Sequence, residues 1–187
     1  LLKQDEPLTA DVLKKNCELV AKSIAQLAKS HEIILVHGNG PQVGLLALQN
    51  QAYTAVPAYP FDVLGAESQG MIGYLLQQAL NNYLHADIRA VTVLTQVEVR
   101  ADDPAFSNLT KPIGPYYSEQ EKAELEKTKQ WQFVGKTKNT VTTYRRVVAS
   151  PKPIKIIELN AIKNLLTPMD DSCLDSCSKQ KNMVIAA

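Results

Sequence analysis

Apolar positions along residues 1–97 predict alternating helices and strands. Residues 9–30 predict an amphipathic helix, because apolar side chains recur there every three or four positions. Residues 33–36 form an unbroken apolar run, which is typical of a parallel strand covered on both faces. Further helices are expected from Pro41 and over 62–83, and a second strand over 90–97. This order indicates an α/β fold, a three-layer αβα sandwich with a mainly parallel sheet.

The same spacing predicts which faces of the two longer helices are buried. In the first helix the buried positions are expected to be Leu13, Cys17, Val20, Ile24 and Leu27. In the helix over 62–83 they are expected to be Leu64, Met71, Leu75, Ala79 and Tyr83, widened by Ile72, Leu76 and Leu80. Three glycines interrupt this second helix, and each costs about 1 kcal/mol relative to alanine. They indicate either close packing or a break near Gly70.

The pattern changes after residue 97, where prolines interrupt the chain and large apolar side chains become sparse. We therefore predict that residues 98–146 form a protruding lid subdomain. The segments 1–97 and 147–187 then form one partial αβα domain. Ser118, with Glu121 three positions later, predicts a capped helix over residues 119–128 of the lid. A hairpin is expected to follow, with strands at 131–134 and 140–144 and a turn near Gly135.

The last part of the chain predicts a helix over 156–166, a polar loop over 167–180 and a strand over 181–187. The strand is apolar enough to need neighbours on both sides. A chain that stops on such a strand is expected to be incomplete, and the alternative is an edge strand that ends the fold.

Composition narrows the class of protein. The 187 residues are 45% hydrophobic and 21% charged, which is ordinary for a globular protein. The net charge of +1 gives no bulk electrostatic case for nucleic acid or for a membrane surface, and no apolar run is long enough to span a bilayer. Three cysteines are too few for a disulfide framework, so Cys173 and Cys177 are expected to be free thiols in a cytoplasmic protein.

A glycine-rich turn follows the first predicted strand, with Gly38, Asn39 and Gly40 between His37 and Pro41. Glycines let backbone N–H groups approach an anion, and the next helix adds positive charge at its N-terminus. The spacing matches neither a Walker A loop nor a dinucleotide-binding fingerprint. A tight turn without a ligand is an equal alternative on the pattern alone. Its place at the carboxyl end of a strand favours a site.

Other candidate residues are weaker. Lys111 is expected in a stiff loop, where its ammonium could contact a phosphate or carboxylate, although most single lysines are only solvated. Arg145 and Arg146 could bind an anion, but ion pairs that anchor the lid are the more common role. Glu67 and Ser68 could be polar positions near the turn, but a place on a helix surface is the expected one. The three histidines lack metal-ligand spacing, and only His37 adjoins the glycine turn.

Several long, ordered stretches together resemble the carbamate kinase family of the amino-acid kinase superfamily. They include His-Gly-Asn-Gly-Pro-Gln-Val-Gly near the first strand and Thr-Lys-Pro-Ile-Gly-Pro around Lys111. The stretches are 37–49, 62–74, 103–106, 110–115 and 145–151. The resemblance covers nearly the whole chain, apart from the loop at about 167–180.

The resemblance implies a fold, an activity and a site. It implies an αβα sandwich with a protruding subdomain, a homodimer, and phosphoryl transfer between ATP and carbamate that gives ADP and carbamoyl phosphate. In this family the reaction usually runs toward ATP in arginine fermentation. By resemblance, Gly38, Asn39 and Gly40 form the substrate-binding loop, and Lys111 is a catalytic lysine that reaches the carbamoyl phosphate from the lid. Asn39 and Lys111 are then expected to share one cavity.

The sequence departs from the family at both ends. The family's first strand and its Gly-Gly-Asn-Ala loop are missing, as is the ATP-binding C-terminal half, so we expect no complete site for ATP with Mg²⁺ and negligible kinase activity. Two alternatives remain. One is another amino-acid kinase with a different acceptor, against which the match around Lys111 argues. The other is a short, non-catalytic binding or dimerisation module.

Overall fold

The computed structural model describes residues 6–138, 140–166 and 181–186. The helices are α1 (Ala10–Ala28), α2 (Gly40–Ala52), α3 (Phe61–Asn81), α4 (Glu119–Lys129) and α5 (Leu159–Leu166). The strands are β1 (Ile34–Val36), β2 (Ile88–Val93), β3 (Val97–Val99), β4 (Lys111–Tyr117), β5 (Gln132–Lys138), β6 (Val141–Val148), β7 (Pro153–Ile156) and β8 (Lys181–Ala186). The predicted loop at 167–180, with Cys173 and Cys177, lies outside the described residues.

The chain divides into two compact units. The sheet unit contains the residues up to Asn39, Asp62–Gln96 and those from Ile156 onward. The hairpin unit contains Gly40–Phe61 and Val97–Lys155. The predicted lid, 98–146, falls within the hairpin unit, and its boundaries as a subdomain stay a prediction.

A parallel three-stranded sheet of order β1-β8-β2 lies at the centre of the sheet unit. Its middle strand, β8, is buried over its last four residues and has a neighbour on each side. This confirms the prediction of a covered strand near the end of the chain. The predicted strand over 90–97 was wrong at its end, because β2 leaves the sheet after Val93 and a separate strand starts at Val97.

Alternate residues of β8 face two different helical layers. Met183 and Ile185 pack with the buried faces of α1 and α3 in one core cluster. Val184 and Ala186 pack with Ile162 of α5 in a second cluster. This alternation is the period-2 pattern of a strand, and it produces helix layers on both faces of the sheet. The αβα prediction is therefore confirmed.

Helix α1 begins as predicted but buries only part of the predicted stripe. The Thr9 hydroxyl accepts a hydrogen bond from the Val12 N–H at 3.4 Å, which caps the first turn. The predictions for Val20 and Leu27 were wrong, since Leu27 is 56% exposed. The predictions for Leu13 and Cys17 are confirmed, and smaller or polar side chains complete the buried stripe, at Asn16, Ala21, Ala25 and Ala28. Alanines bury little apolar area themselves but let the helix axis approach the sheet closely.

Helix α3 is continuous through Gly70, so there is no break there, and of its three glycines only Gly73 packs closely. A methyl group added at Gly73 would overlap the Thr92 side chain on β2. By contrast, a methyl group at Gly70 would meet no atom within 4 Å. Tyr83 was predicted to be buried, but it lies beyond the end of the helix and is exposed.

Side-chain amides of α3 cover the outer edge of β2. The Asn81 Oδ1 accepts a hydrogen bond from the Ala90 N–H at 3.2 Å. The Gln77 Oε1 accepts one from the Thr92 N–H at 3.0 Å. These N–H groups point away from β8, so the helix satisfies donors that a neighbouring strand would otherwise bind.

An antiparallel sheet of order β4-β6-β5 forms most of the hairpin unit. The predicted turn near Gly135 was wrong, because β5 runs through it and the chain reverses between Lys138 and Val141, which are paired. A methyl group at Gly135 would lie 3.0 Å from the Tyr144 ring on β6. The glycine therefore makes room for an aromatic ring across the sheet.

The predicted start of α4 is confirmed, whereas that of α5 was wrong. The capping box of α4 is confirmed: the Ser118 hydroxyl accepts from the Glu121 N–H, and the Glu121 carboxylate accepts from the Ser118 N–H at 2.8 Å. The helix predicted over 156–166 begins only at Leu159. A turn at 157–158 separates it from β7, which pairs with β3 and is joined to it by an ion pair between Lys155 and Glu98 at 2.9 Å.

Candidate functional site

Two loops leave the sheet unit at the same edge. Residues 37–39 follow β1, and residues 94–96 follow β2. Both strands run parallel to β8, so their carboxyl ends lie on one side of the sheet. In open α/β sheets this edge is where ligands bind. The predicted residues Gly38 and Asn39 therefore lie at a position suited to a site.

The loop after β1 starts with one more strand-like contact and then becomes open. The His37 N–H donates to the Ala186 carbonyl at 3.2 Å, which extends the pairing of β1 with β8. A methyl group added at Gly38 or Gly40 would meet no atom within 4 Å. Among the glycines, only Gly114 has a left-handed φ. Neither close packing nor a left-handed backbone therefore explains why residues 38 and 40 are glycines. A ligand that approaches the backbone closely would require them.

Asn39 is held by a buried serine of α3. Its Nδ2 donates to the Ser68 Oγ at 2.7 Å, and the Ser68 hydroxyl donates to the Gly65 carbonyl at 2.6 Å. Ser68 is fully buried, so its prediction as a helix-surface residue was wrong, whereas Glu67 is exposed as predicted. The missed signal was its spacing, because Ser68 lies four residues from both Leu64 and Ile72 in the buried stripe.

The neighbouring residue of α3 holds the second loop. The Gln69 amide forms two hydrogen bonds with Thr95: its Oε1 accepts from the backbone N–H at 2.9 Å, and its Nε2 donates to the carbonyl at 3.1 Å. Thr95 is buried in the loop after β2. Two adjacent side chains of one helix therefore fix the loops that follow two strands.

His37 supplies little positive charge to this edge at neutral pH. Burial lowers the pKa of its imidazole below the ordinary histidine value, and a hydrogen bond with the Gly38 carbonyl only partly opposes this shift. The imidazole is consequently neutral at pH 7. Anion binding at this edge would therefore depend on backbone N–H groups and on positively charged side chains other than His37.

Lys111 and Gly40 belong to the hairpin unit, on two elements that pack together. Lys111 was predicted in a loop, which was wrong, because it is the exposed first residue of β4; within the described residues its ammonium has no ion-pair partner. A methyl group at Gly44, one turn after Gly40, would lie 2.8 Å from the Gly114 Cα. This contact of backbone against backbone fixes the strand of Lys111 against the helix that begins at Gly40. The shared cavity predicted for Asn39 and Lys111 stays a prediction.

The two arginines do not form the predicted ion pairs within the described residues. The Arg145 Nε donates to the Gly114 carbonyl at 3.1 Å, and its guanidinium lies 5.5 Å from the centre of the Tyr116 ring. The Arg146 guanidinium lies 4.0 Å from the centre of the Trp131 ring. Burial lowers the pKa of Arg146, but an arginine remains charged at neutral pH. Both side chains hold the hairpin unit together through its own strands.

Metal-binding and membrane-spanning features are not found in the described ranges. No three His, Cys, Asp or Glu side chains come together there. His85 contacts Asp87 at the surface, and His31 contacts Ser30. None of the helices in the same ranges combines the length and apolar character that crossing a bilayer requires.

Comparison with known proteins gives consistent relatives. No family model matches the chain. A carbamate kinase from Rhizobium meliloti is 51% identical over 166 residues, which are 89% of this chain and 50% of the relative. One from Haemophilus influenzae is 49% identical over the same length, 52% of the relative. This chain thus spans about half the length of the curated relatives it matches.

Solved structures agree with these relatives. A carbamate kinase from Giardia lamblia bound to AMP-PNP is 36% identical, with a TM-score of 0.76 over 99% of this chain and 56% of that protein. A protein from Aeropyrum pernix K1 is 28% identical, with a TM-score of 0.81 over 100% of this chain and 56% of its own length.

Proposed function

Since this chain belongs to the carbamate kinase family, we propose that it forms the carbamoyl phosphate end of a phosphotransferase. The reaction is ATP plus carbamate to ADP plus carbamoyl phosphate, or its reverse. The observation that carries the proposal is the open turn at Gly38 and Asn39, held at the carboxyl edge of the sheet by a buried hydroxyl. We also expect the protein to be cytoplasmic and to form a homodimer. Sedimentation of the purified protein would test the homodimer.

The proposed roles follow from the charges of the reaction. Carbamate is already an anionic nucleophile, so the site needs no strong base. It must instead offset the repulsion between two anions and hold donor and acceptor in line. Backbone N–H groups of Gly38, Asn39 and Gly40 would bind phosphoryl or carboxyl oxygens, and the Lys111 ammonium would offset negative charge in the transition state.

ATP and Mg²⁺ are the other participants that the family implies. The described residues offer no cluster of carboxylates that would hold Mg²⁺, and we assign no nucleotide-binding residue. We therefore derive no step through either of them. The chain's own contribution is to bind and orient carbamate or carbamoyl phosphate.

Two assays on the 187-residue chain test this proposal. A coupled assay should detect negligible formation of ATP from ADP and carbamoyl phosphate. Titration with carbamoyl phosphate, followed by amide NMR, should still show binding through the signals of residues 38–40. Failure of the unchanged chain to bind carbamoyl phosphate would overturn the proposal. ATP formation at the rate of a complete kinase would refute the expected inactivity.

Variants then test the assigned residues. Lys111→Ala should weaken carbamoyl phosphate binding about tenfold, which corresponds to about 1.4 kcal/mol. Lys136→Ala is the matched control, because it removes the same charge from an exposed position of the same sheet. Equal weakening by both variants would show that only net charge matters and would remove Lys111 from the site.

A further inference from the structure

Ser68 carries a hydroxyl at a position of α3 where the spacing of buried residues predicts an apolar side chain. It is fully buried, as are Leu64 and Ile72 one turn away on either side. Burying a hydroxyl is unfavourable unless its hydrogen-bonding groups are satisfied. Both are satisfied here, since Ser68 accepts from Asn39 and donates to Gly65.

These two hydrogen bonds have a fixed direction. A serine hydroxyl carries one hydrogen, and in Ser68 that hydrogen goes to the Gly65 carbonyl. Its oxygen can therefore only accept from the side chain of Asn39. Asn39 must consequently turn its Nδ2 toward the helix, which leaves its Oδ1 and its second N–H for other partners. The helix thus determines how Asn39 is oriented within the turn.

We propose that Ser68 is a positioning residue, which acts through Asn39 to hold the turn at residues 37–39 in the conformation that binds an acyl phosphate. The proposal rests on the function proposed above. Ser68 itself touches no substrate. Its effect is to present the backbone N–H groups of Gly38 and Asn39 already ordered, so that binding an anion does not have to order them.

The first experiment is a double-mutant cycle on the 187-residue chain, with carbamoyl phosphate and inorganic phosphate as separate probes. Ser68→Ala should weaken binding of carbamoyl phosphate about fivefold, and Asn39→Ala should weaken it at least as much. The double variant should bind like Asn39→Ala alone, because the serine acts only through the asparagine. Independent, multiplying effects, or a Ser68→Ala variant that binds like the unchanged chain, would overturn the proposal.

A matched control separates positioning from general loss of stability. Gln77→Leu removes a side-chain hydrogen bond of 3.0 Å from the same helix, but its partner is the Thr92 N–H within β2 and not a residue of the turn at 37–39. This variant should lose stability and keep its affinity for carbamoyl phosphate. If it weakens binding as much as Ser68→Ala does, destabilisation explains both results and the positioning role is wrong.

A third readout needs no ligand. The side-chain amide signals of Asn39 should shift in Ser68→Ala, return in Ser68→Thr, which keeps the hydroxyl, and stay unchanged in Gln77→Leu. Unchanged Asn39 signals in Ser68→Ala would overturn the proposal even where binding falls. If the Asn39 signals shift but the unchanged chain binds neither probe, the function proposed above has failed and Ser68 is only a structural hydroxyl.

Discussion

The two units hold their loops and strands by different physical means. In the sheet unit, side chains of α3 form hydrogen bonds with backbone groups at the edge of a buried sheet, as in the Gln69 contact with Thr95. In the hairpin unit, positively charged side chains lie over aromatic rings, as Arg146 does over Trp131. The first arrangement depends on exact donor and acceptor positions inside a core. The second depends on stacked surfaces that stay partly exposed, so it tolerates small movements.

The largest expected effect tests whether the core of the sheet unit contributes more to the free energy of unfolding than the core of the hairpin unit. Ile185→Ala should lower the free energy of unfolding by about 4 kcal/mol, since the side chain is fully buried in the central strand. Ile113→Ala, at a buried position of the hairpin unit, should lower it by about 2 kcal/mol. Urea unfolding followed by circular dichroism measures both. A larger loss for Ile113→Ala would reverse the comparison.

The next effect concerns how tightly α3 packs on the sheet. Gly73→Ala should destabilise the chain by about 3 kcal/mol, because the added methyl group would overlap Thr92. Gly70→Ala is the control in the same helix, where the methyl group meets open space and should stabilise the chain by up to about 1 kcal/mol. Thermal unfolding of the pair gives the comparison. Equal melting temperatures would show that the helix can move away from β2 easily.

A smaller effect is expected in the hairpin unit. Arg146→Ala should cost about 1 kcal/mol, because it removes a cation above an aromatic ring. Trp131 is the only tryptophan of the chain, so its fluorescence reports on this unit alone. The emission should shift to longer wavelength as the ring becomes more exposed. An unchanged spectrum would mean that Arg146 does not cover the ring in solution.

The smallest expected effect is a pH dependence in the sheet unit. Burial lowers the pKa of His37 in the folded chain, so the unfolded chain binds its proton more readily. Stability should therefore fall as pH decreases from about 7 to about 5, through the ordinary histidine range. His37→Gln should reduce this slope. His31→Gln changes an exposed histidine and serves as the control, and an equal reduction by both would contradict the assignment.

The sequence predicted most of the fold because its periodicity was strong in the sheet unit. Helix α3 and strand β8 lie where the apolar spacing placed them. Predictions of turns and of buried positions were wrong where a residue's role depends on a contact with a distant part of the chain. Gly135 resembles a turn signal, yet its actual role is to accommodate a ring on the opposite strand. Leu27 fits the helical spacing, yet a stripe of alanines faces the sheet.

The candidate site was predictable only in part. The glycine turn is visible in the sequence because strand and helix patterns flank it. Ser68 was named as a possible polar position near the turn but expected on the helix surface, because a serine in an amphipathic helix usually lies on the polar face and its contact with Asn39 is a long-range one. Long-range hydrogen bonds of this kind depend on the fold and not on sequence spacing. The grouping of Lys111 with Asn39 rests on family resemblance and stays a proposal.

The amides that α3 places along β2 also determine how this sheet can grow. An uncovered edge strand is a template for aggregation, and the bonds from Asn81 and Gln77 remove that template on one side. At the opposite edge the described residues place no strand beside β1, and Val36 is 70% exposed there. The edge at Ile34 and Val36 is therefore the more open one for a strand that extends the sheet, whether from the same polypeptide or from a misfolded neighbour.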